Sequence, residues 1–331
     1  MRSGLALEMP NERNRVLVTG GCGFVGSALC RLLIRSGHDV VVLDNLSSGS
    51  VARLPPEARF IKGDICDSHS VARAVRGVSG VFHLAAIASV EQCNVNRAAA
   101  SRTNLQGTVT ILEETGDLPV VFTSSAAVYG DQAEIPVDEA MTPAPISSYA
   151  IDKLGSERHL QEAAELWGAR CIAVRPFNIF GPGQSPDSPY SGVLTRFVEG
   201  ARRKAALQVN GDGGQTRDFI HVDDVVRALM AAMRVAMAAE PGLFAAVNVC
   251  SGKAVSILDL ARTVNSVMGS QTPIAFGPAR MGDIRHSTGC PRRAEQLLGF
   301  RAGISVADGI AGMPGEPPAP AAQSRRASLQ G

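Results

Sequence analysis

Short runs of apolar, largely β-branched residues alternate with helical patterns along the first half of the chain. The runs are apolar at consecutive positions, as expected of strands whose two faces are both buried. They lie at 16–19, 39–44, 59–64, 81–86, 120–125 and 171–176, and helical patterns include 26–36, 105–115 and 148–167. Strands that alternate with helices predict an α/β fold with a doubly wound parallel sheet.

The composition changes after residue 182. A stretch rich in Gly, Pro and Ser at 181–192 predicts a long loop, and shorter strands and helices follow to about residue 312. We therefore expect a Rossmann-like domain over 15–182 and a smaller C-terminal α/β lobe over 183–312. The ends, 1–14 and 313–331, carry too little apolar surface to order themselves and are expected to be flexible tails.

The composition of the chain argues against several classes of binding partner. A net charge of +1 over 331 residues indicates neither a nucleic acid nor a membrane surface, and no apolar run approaches the ~20 residues of a membrane span. The seven cysteines are scattered, without a CxxC pair. This favours reduced thiols in the cytoplasm over a disulfide framework or a metal site, and we expect no bound metal.

The loop after the first apolar run reads TGGCGFVGS, and its glycines fit two templates. Gly21, Gly23 and Gly26 spell G-x-G-x-x-G, whereas Gly20, Gly23 and Gly26 spell G-x-x-G-x-x-G. In either register the glycines let the backbone turn tightly and approach a pyrophosphate at a helix N-terminus. Within this loop we interpret Cys22 as a small filler rather than a reactive thiol.

Two acidic positions support a dinucleotide at this loop. Asp44 ends the second strand, 18 residues after Gly26, where a carboxylate can bind the adenosine ribose hydroxyls. Because it would repel a 2′-phosphate, Asp44 favours NAD over NADP. The sequence GDI at 63–65 ends the third strand, where an acid can meet the adenine edge.

Tyr149 and Lys153 form Y-x-x-x-K, which places both on one face of a helix. A tyrosine has a pKa of ~10, too high for a base at neutral pH, but a nearby ammonium and a nicotinamide cation would favour the phenolate. Ser125, at the end of the fifth strand, could hydrogen-bond the same substrate hydroxyl. His83, which follows apolar strand residues, is interpreted as a structural histidine.

These motifs occur in the order TGG-x-GFVG, DNLSSG, GDI, HLAA, SS-x-x-VYG, Y-x-x-x-K and RPFN-x-x-GP. In this order the chain resembles the extended short-chain dehydrogenase/reductase family over about residues 15–310, and within it the UDP-sugar 4-epimerases. The resemblance selects the register of Gly20, Gly23 and Gly26, so that Gly21 would complete the other template by coincidence.

The resemblance implies a role for each matching residue. Tyr149 would take the proton of the sugar 4-hydroxyl, Lys153 would hold the nicotinamide ribose and lower the pKa of Tyr149, and Ser125 would stabilise the oxygen as it becomes a carbonyl. Contacts to NAD would come from Gly20, Gly23, Phe24, Val25, Gly26, Asp44, Asn45, Ser48, Asp64, Ile65, Leu84, Ala85, Ala86, Asn104, Tyr149, Lys153 and Phe177. Contacts to a UDP-sugar would come from Ser89, Ser125, Tyr149, Asn178, Arg217, Arg280, Asp283 and Ser287, which makes the second lobe the nucleotide-sugar-binding lobe.

Small residues distinguish the branches of this family. Ala126 and Ala127 stand where similar dehydratases and decarboxylases carry acids, which suits reversible oxidation without elimination. Ser287 stands where glucose-restricted epimerases carry a tyrosine, which leaves room for an N-acetyl group. The resemblance also implies a homodimer, paired through the helix of Tyr149 and the helix before it.

Two other readings stay open on the sequence alone. An NDP-4-keto-sugar reductase, or another nucleotide-sugar oxidoreductase, would share the motifs but consume free NADH or NADPH. A noncatalytic NAD-binding scaffold would share the fold, although the intact Ser125, Tyr149 and Lys153 argue against it.

Overall fold

The computed structural model describes residues 15–184, 192–279 and 284–313. The strands in these ranges are β1 (Arg15–Thr19), β2 (Asp39–Asp44), β3 (Arg59–Lys62), β4 (Gly80–His83), β5 (Pro119–Thr123), β6 (Arg170–Pro176), β7 (Asn178–Phe180), β8 (Leu207–Asn210), β9 (Thr216–His221), β10 (Phe244–Val249), β11 (Ala254–Ser256), β12 (Ile274–Gly277) and β13 (His286–Ser287). The α-helices are α1 (Phe24–Arg35), α2 (Ser68–Ala74), α3 (Val90–Val95), α4 (Arg97–Ser101), α5 (Gly107–Thr115), α6 (Ser148–Trp167), α7 (Val193–Arg202), α8 (Val222–Ala238), α9 (Ile257–Val267) and α10 (Val306–Ala311). Short 3-10 turns lie at Val51–Arg53 and Ala126–Tyr129, and π-helical turns at Arg102–Gln106 and Ala294–Leu298.

In the described part of the chain, seven strands form one sheet in the order β10-β6-β5-β4-β1-β2-β3, and each neighbouring pair is parallel. Successive side chains enter cores on opposite faces. In β1, for example, Val16 and Val18 join one buried cluster and Leu17 joins the other. The predicted doubly wound sheet is confirmed, and the consecutive apolar positions of its strands follow from burial on both faces.

The sheet does not end at the expected boundary of residue 182. Strand β10 pairs in parallel with β6 along its whole length, and α8 packs against β5, β6 and α1. Both elements follow residue 182, so the first lobe also contains residues from the segment assigned to the second. The run FAAVNV at 244–249 has the apolar pattern of a buried strand, but chain order alone assigned it to the later lobe.

The smaller lobe contains two minor sheets. Strand β9 pairs with β7, β11 and β13, while β8 pairs with β12. Helices α7, α9 and α10 enclose an apolar core that includes Phe197, Leu207, Phe219, Leu260 and Val264. None of the helices that the structure describes is long and apolar enough to cross a bilayer.

Asp218, on β9, connects this lobe to the large sheet. Its fully buried carboxylate accepts hydrogen bonds from the backbone N–H groups of Ser251 (2.8 Å) and Gly252 (2.9 Å), just after β10. It also accepts from the N–H of Gly289 (3.2 Å), just after β13. A buried carboxylate is tolerated where donors satisfy its lone pairs, so these bonds fix the two lobes against each other.

The long helix α6 has the predicted bounds, Ser148–Trp167, because both of its ends are specified by sequence. The Ser147 hydroxyl accepts a hydrogen bond from the Ala150 N–H at the N-terminus (3.2 Å). Gly168 ends the helix in the left-handed region, with φ of 70°. The two other predicted helices differ more. The helix expected at 26–36 begins at Phe24, and the one expected at 105–115 begins as a π-helical turn.

The glycines of the β1–α1 loop are required by close backbone packing. Gly20 has φ of 70°, and a Cβ there would lie 2.7 Å from the Ala85 nitrogen. A Cβ on Gly26 would overlap the carbonyl oxygen of Gly20 and lie 2.8 Å from the Gly21 Cα. The motif comparison implied that Gly21 completes the second template by coincidence. A larger residue would nevertheless fit poorly there, because a Cβ on Gly21 would lie 2.7 Å from Val42 Cγ1. Steric restriction at Gly20, Gly21 and Gly26 therefore does not choose between the two templates.

We expect Gly26→Ala to lower the free energy of unfolding by about 1–3 kcal/mol, because the added methyl meets backbone atoms that cannot move aside. Chemical denaturation followed by circular dichroism measures this. Gly192→Ala is the matched control, since a Cβ there meets nothing within 4 Å. Equal losses in the two variants would contradict the steric explanation.

Candidate active site

The candidate cofactor residues gather at one edge of the large sheet. Strands β1, β2, β3 and β4 are parallel neighbours, so their carboxyl ends and following loops meet there. The predicted residues at this edge are Gly20, Gly23, Phe24, Val25, Gly26, Asp44, Asn45, Ser48, Asp64, Ile65, Leu84, Ala85 and Ala86. Gly23 is the N-cap of α1, and no side chain in the described residues caps that helix. Its first N–H groups therefore suit a phosphate ligand.

Asp44 joins the glycine loop to the loop after β2. Its carboxylate accepts hydrogen bonds from the N–H groups of Cys22 (3.0 Å) and Leu46 (2.8 Å). A carboxylate has roughly four acceptor positions, so Asp44 can still receive two ribose hydroxyls. Cys22 is fully buried, and burial raises the pKa of its thiol to about 12, as the filler interpretation predicts.

Asp64 and Asn45 lie side by side at the outer end of this edge. The Asn45 amide donates a hydrogen bond to the Asp64 carboxylate (3.2 Å), which also accepts from the N–H of Cys66 (2.9 Å). Ile65 is buried beneath them, whereas Ser48 is exposed in the loop after β2. The arrangement brings together the polar groups that the sequence assigned to the adenosine half of NAD.

The side chains of two predicted ligand contacts, Asn104 for NAD and Ser89 for the sugar, are buried and make hydrogen bonds within the protein. The Asn104 side chain accepts from the N–H of Ile87 (2.8 Å) and donates to its carbonyl (3.1 Å), so a direct cofactor contact is not supported. The Ser89 hydroxyl accepts from the Gln92 N–H and caps α3, and Ser89 is 4% exposed. Both residues shape the loop after β4 from within.

His83 is structural, as interpreted from the sequence. Its Nδ1 lies 2.7 Å from the Thr19 hydroxyl and its Nε2 lies 3.1 Å from the Thr108 hydroxyl. Because Thr108 donates its proton to the Asn104 carbonyl (2.8 Å), Nε2 must be the donor and Nδ1 the acceptor. Burial lowers the pKa of His83 to about 3, which keeps the ring neutral.

Tyr149 and Ser125 meet across the site. Tyr149 lies in the first turn of α6, and Ser125 follows β5 and begins the 3-10 turn Ala126–Tyr129. The Ser125 hydroxyl accepts from the Ala127 N–H (3.1 Å) and lies near enough to the Tyr149 phenol to affect its pKa. Burial raises the pKa of Tyr149 to about 12, and the nearby Ser125 hydroxyl opposes this only in part.

Lys153 lies one turn further along α6 and is 2% exposed. Its Nζ donates to the Thr123 carbonyl (2.7 Å) and lies 5.9 Å from the centroid of the Tyr149 ring. Burial lowers the pKa of Lys153 to about 7, although the Glu157 carboxylate opposes the change. Burial thus opposes the charged form of both side chains, and the lowering of the Tyr149 pKa by Lys153 stays a prediction for the protein with its cofactor bound.

A cavity of about 180 Å³ opens beside Ser125, between the two lobes. It is lined by Ser125, Ala126, Ala127, Tyr129, Gly130, Gln132, Val137, Pro176, Phe177, Asn178, Arg217, Ile284, His286 and Ser287. The substrate predictions Ser125, Asn178, Arg217 and Ser287 are therefore brought together. Phe177, predicted to contact the cofactor, lines the same cavity, whereas the predictions for Arg280 and Asp283 lie outside the described residues.

Three polar residues of the cavity were missed as site residues by sequence reasoning. Tyr129 belongs to the quoted SS-x-x-VYG motif, and His286 directly precedes the predicted contact Ser287, so both positions carried a signal. Gln132 follows no motif, and its amide donates to the Tyr129 carbonyl (2.6 Å). The ring nitrogen Nδ1 of His286 pairs with the Thr216 hydroxyl (3.0 Å).

Comparisons with known proteins agree with this geometry. The model of the NAD dependent epimerase/dehydratase family matches residues 16–250. A UDP-glucose 4-epimerase of Mycolicibacterium smegmatis is 34% identical over 307 residues, which cover 90% of this chain and 96% of that protein.

Two solved structures are also similar. The UDP-glucose 4-epimerase of Thermotoga maritima with UDP-glucose has a TM-score of 0.85 at 32% identity, covering 90% of this chain and 96% of that one. The UDP-N-acetylglucosamine 4-epimerase of Methanobrevibacter ruminantium in complex with UDP-N-acetylmuramic acid has a TM-score of 0.84 at 29% identity, covering 90% and 97%. The resemblance seen in the motifs is thereby confirmed, and the chain belongs to the NAD dependent epimerase/dehydratase family.

Proposed function

We propose that the protein is an NAD-dependent UDP-hexose 4-epimerase. The observation that carries the proposal is the composition of the cavity beside Ser125. Ala126 and Ala127 follow the serine, and none of the described lining residues is a carboxylate. Elimination or decarboxylation would need an additional acid or base, whereas reversible oxidation at C4 needs only the Ser125–Tyr149 pair and a hydride acceptor.

The sheet edge fits NAD. Gly20 and Gly26 leave no space for a Cβ, so the backbone itself forms the surface that a pyrophosphate approaches at the N-terminus of α1. Asp44 is placed for the ribose hydroxyls and disfavours a 2′-phosphate. When bound, NAD supplies an acceptor for the C4 hydride, a positive charge near the phenol, and its own regeneration in each turnover.

The residues of the chain then divide the proton chemistry. Tyr149 removes the proton of the sugar 4-hydroxyl, and Ser125 donates a hydrogen bond to that oxygen as it becomes a carbonyl. Because burial raises the pKa of Tyr149 to about 12, the phenolate needs nearby positive charge, which Lys153 contributes while protonated. After the 4-keto sugar turns over within the cavity, Tyr149 would return the proton to the oxygen as C4 regains the hydride on its other face.

The substrate assignment is supported by the far wall of the cavity. Arg217 and Asn178 offer donors suited to a diphosphate or sugar, and the Asn178 amide is fixed by the Asp218 carbonyl (3.1 Å). Ser287 presents a small side chain to the cavity. We propose that the site accepts N-acetylated as well as plain UDP-hexoses, because a serine leaves volume that a tyrosine would fill. Arg280 and Asp283 remain proposed contacts from the family pattern.

The proposed homodimer is supported by apolar side chains exposed on and beside α6. Ile151, Leu166 and Trp167 are 56%, 68% and 60% exposed, and Val95 on α3 is 85% exposed. Large apolar side chains exposed at both ends of one helix and on its neighbour α3 are available for a protein interface. A second copy of the chain, related by a two-fold axis, would cover them.

A cytoplasmic location is supported by the thiols. All seven cysteines are free, and six of them are buried. Burial raises the pKa of Cys30 and Cys171 to about 12, so these thiols stay protonated. Such a set of free thiols is typical of a reducing compartment.

The charge of Lys153 predicts a pH dependence of stability. Its pKa falls from 10.5 to about 7 on folding, so between these pH values the unfolded chain binds a proton that the folded protein does not. The cost of burying the ammonium is therefore full below pH 7 and fades as the pH rises toward 10.5. With nucleotide removed, the free energy of unfolding of the wild type should rise from pH 7 to pH 9 relative to Lys153→Met. A difference that is independent of pH, measured by urea denaturation, would contradict this.

Incubation with UDP-glucose and with UDP-N-acetylglucosamine, followed by proton NMR, tests the activity. We expect the configuration at C4 to invert with both sugars, seen as a change in the coupling constants of the C4 proton, without net consumption of NADH. Tyr149→Phe should lower kcat by about 10²–10⁴-fold, since a positioned base is worth that much. Ser287→Tyr should lose the N-acetylated substrate selectively.

Each alternative has its own result in this experiment. Stoichiometric consumption of added NADH would indicate a reductase, and inversion with neither sugar would reject the epimerase. Inversion with UDP-glucose alone in the wild type would reject only the N-acetylated substrate.

Sedimentation velocity tests the dimer. The wild type should sediment as a dimer, and Ile151→Asp should dissociate it because a buried unpaired charge opposes association. Phe276→Asp is the matched control, since Phe276 is 58% exposed but lies on β12 in the smaller lobe. A monomeric wild type, or equal effects of the two variants, would reject an interface at α6.

A further inference from the structure

A buried ion pair lies behind the turn that carries Ser125. Glu157, on α6, and Arg175, on β6, are 2% and 4% exposed. The guanidinium donates through Nε to Glu157 Oε1 (2.9 Å) and through Nη2 to Oε2 (2.5 Å), a bidentate arrangement. Neither residue lines the cavity, so neither is placed to touch the sugar.

The glutamate end of the pair holds the residue before Ser125. The Ser124 hydroxyl donates to Glu157 Oε1 at 2.5 Å, and the Ser124 N–H donates to the Val174 carbonyl at 2.8 Å. Ser124 is 1% exposed, so water cannot replace either partner. Its position is therefore set by α6 and β6 together.

The arginine end holds the turn after Ser125. Arg175 Nη1 donates to the Tyr129 hydroxyl (2.9 Å), which donates in turn to the Asn248 side-chain oxygen on β10 (2.8 Å). Tyr129 is the last residue of the 3-10 turn that begins at Ser125. One ion pair thus reaches both the residue that precedes Ser125 and the end of the turn that follows it.

A buried ion pair is an expensive way to gain stability, because desolvation of the two charges offsets most of their attraction. Here Glu157 binds the residue before Ser125, and Arg175 binds the residue that ends the turn after it. We propose that Glu157 and Arg175 are positioning residues that fix the Ser125 hydroxyl toward Tyr149 and the substrate, acting through Ser124 and Tyr129. The catalytic part of this inference rests on the proposed epimerase function.

The inference predicts a kinetic signature. An oriented Ser125 hydroxyl matters most as charge develops on the substrate oxygen, so loosening the turn should lower kcat and leave KM nearly unchanged. Loss of Glu157 or Arg175 would leave the other charge buried and unpaired, and such variants would fail to fold. Removal of the single hydroxyls of Ser124 and Tyr129 tests the same connection more gently.

We expect Ser124→Ala and Tyr129→Phe each to lower kcat about tenfold, with KM within about twofold of the wild type and bound NAD unchanged. Ser124→Thr, which keeps the hydroxyl, should restore kcat. In a Ser125→Ala background the same two substitutions should cause no further loss, because their effect passes through Ser125. Thr115→Val is the control, since it removes a buried hydroxyl on α5 next to the amino end of β5, away from Ser125.

A second measurement does not depend on activity. The chain has three tyrosines, so ¹³Cζ-labelled tyrosine gives three NMR signals. The signal that is lost in Tyr149→Phe is the signal of Tyr149. The proposed placement of the Ser125 hydroxyl beside the Tyr149 phenol should give this signal a shift that Ser125→Ala removes. Ser124→Ala should move the signal in the same direction, and Thr115→Val should not.

The outcomes separate the two proposals. A wild type that does not invert either sugar rejects the epimerase function, and the Tyr149 signal then still tests the positioning. Losses of kcat that persist in the Ser125→Ala background, or an unmoved Tyr149 signal in Ser124→Ala, would overturn the positioning role while leaving the epimerase function intact.

Discussion

The fully buried carboxylate of Asp218 holds together three segments that are far apart in the sequence. It lies on β9, and its donors come from the chain after β10 and the chain after β13. Since most of these donors are backbone N–H groups, the contact fixes main-chain positions rather than side-chain rotamers. The cavity lies between Ser125 on one side and Arg217 and Ser287 on the other, and the Asp218 contact joins segments next to its walls.

Two titratable side chains of the site, Lys153 and Tyr149, have pKa values that burial shifts against their charged forms. Lys153 keeps its proton only weakly because burial opposes it, and Tyr149 resists losing its own for the same reason. Burial therefore disfavours the charged form of each side chain, and an added positive charge would favour the phenolate of Tyr149. In the proposed reaction, a bound cofactor cation would supply such a charge beside Tyr149.

Much of the fold could be read from the sequence because consecutive apolar residues have few alternatives to a doubly covered strand. The order of strands along the chain could not reveal that β10 returns to the large sheet, since pairing is decided by the tertiary neighbour β6. In the site, the glycines, Ser125 and Tyr149 were predictable, because local geometry and chemistry restrict the residue type. The partners of Asn104 and Lys153 were not, because hydrogen bonds to Ile87 and Thr123 depend on how distant segments pack.

The return of β10 also bears on synthesis of the protein. The register that pairs Cys171 with Phe244 closes a loop of roughly 70 residues, most of which belong to the smaller lobe. A nascent chain that has emerged only as far as β6 therefore has an open sheet edge, and α8 is not yet present to cover one face. The large sheet therefore cannot be completed on the ribosome before the first strands of the smaller lobe have been made.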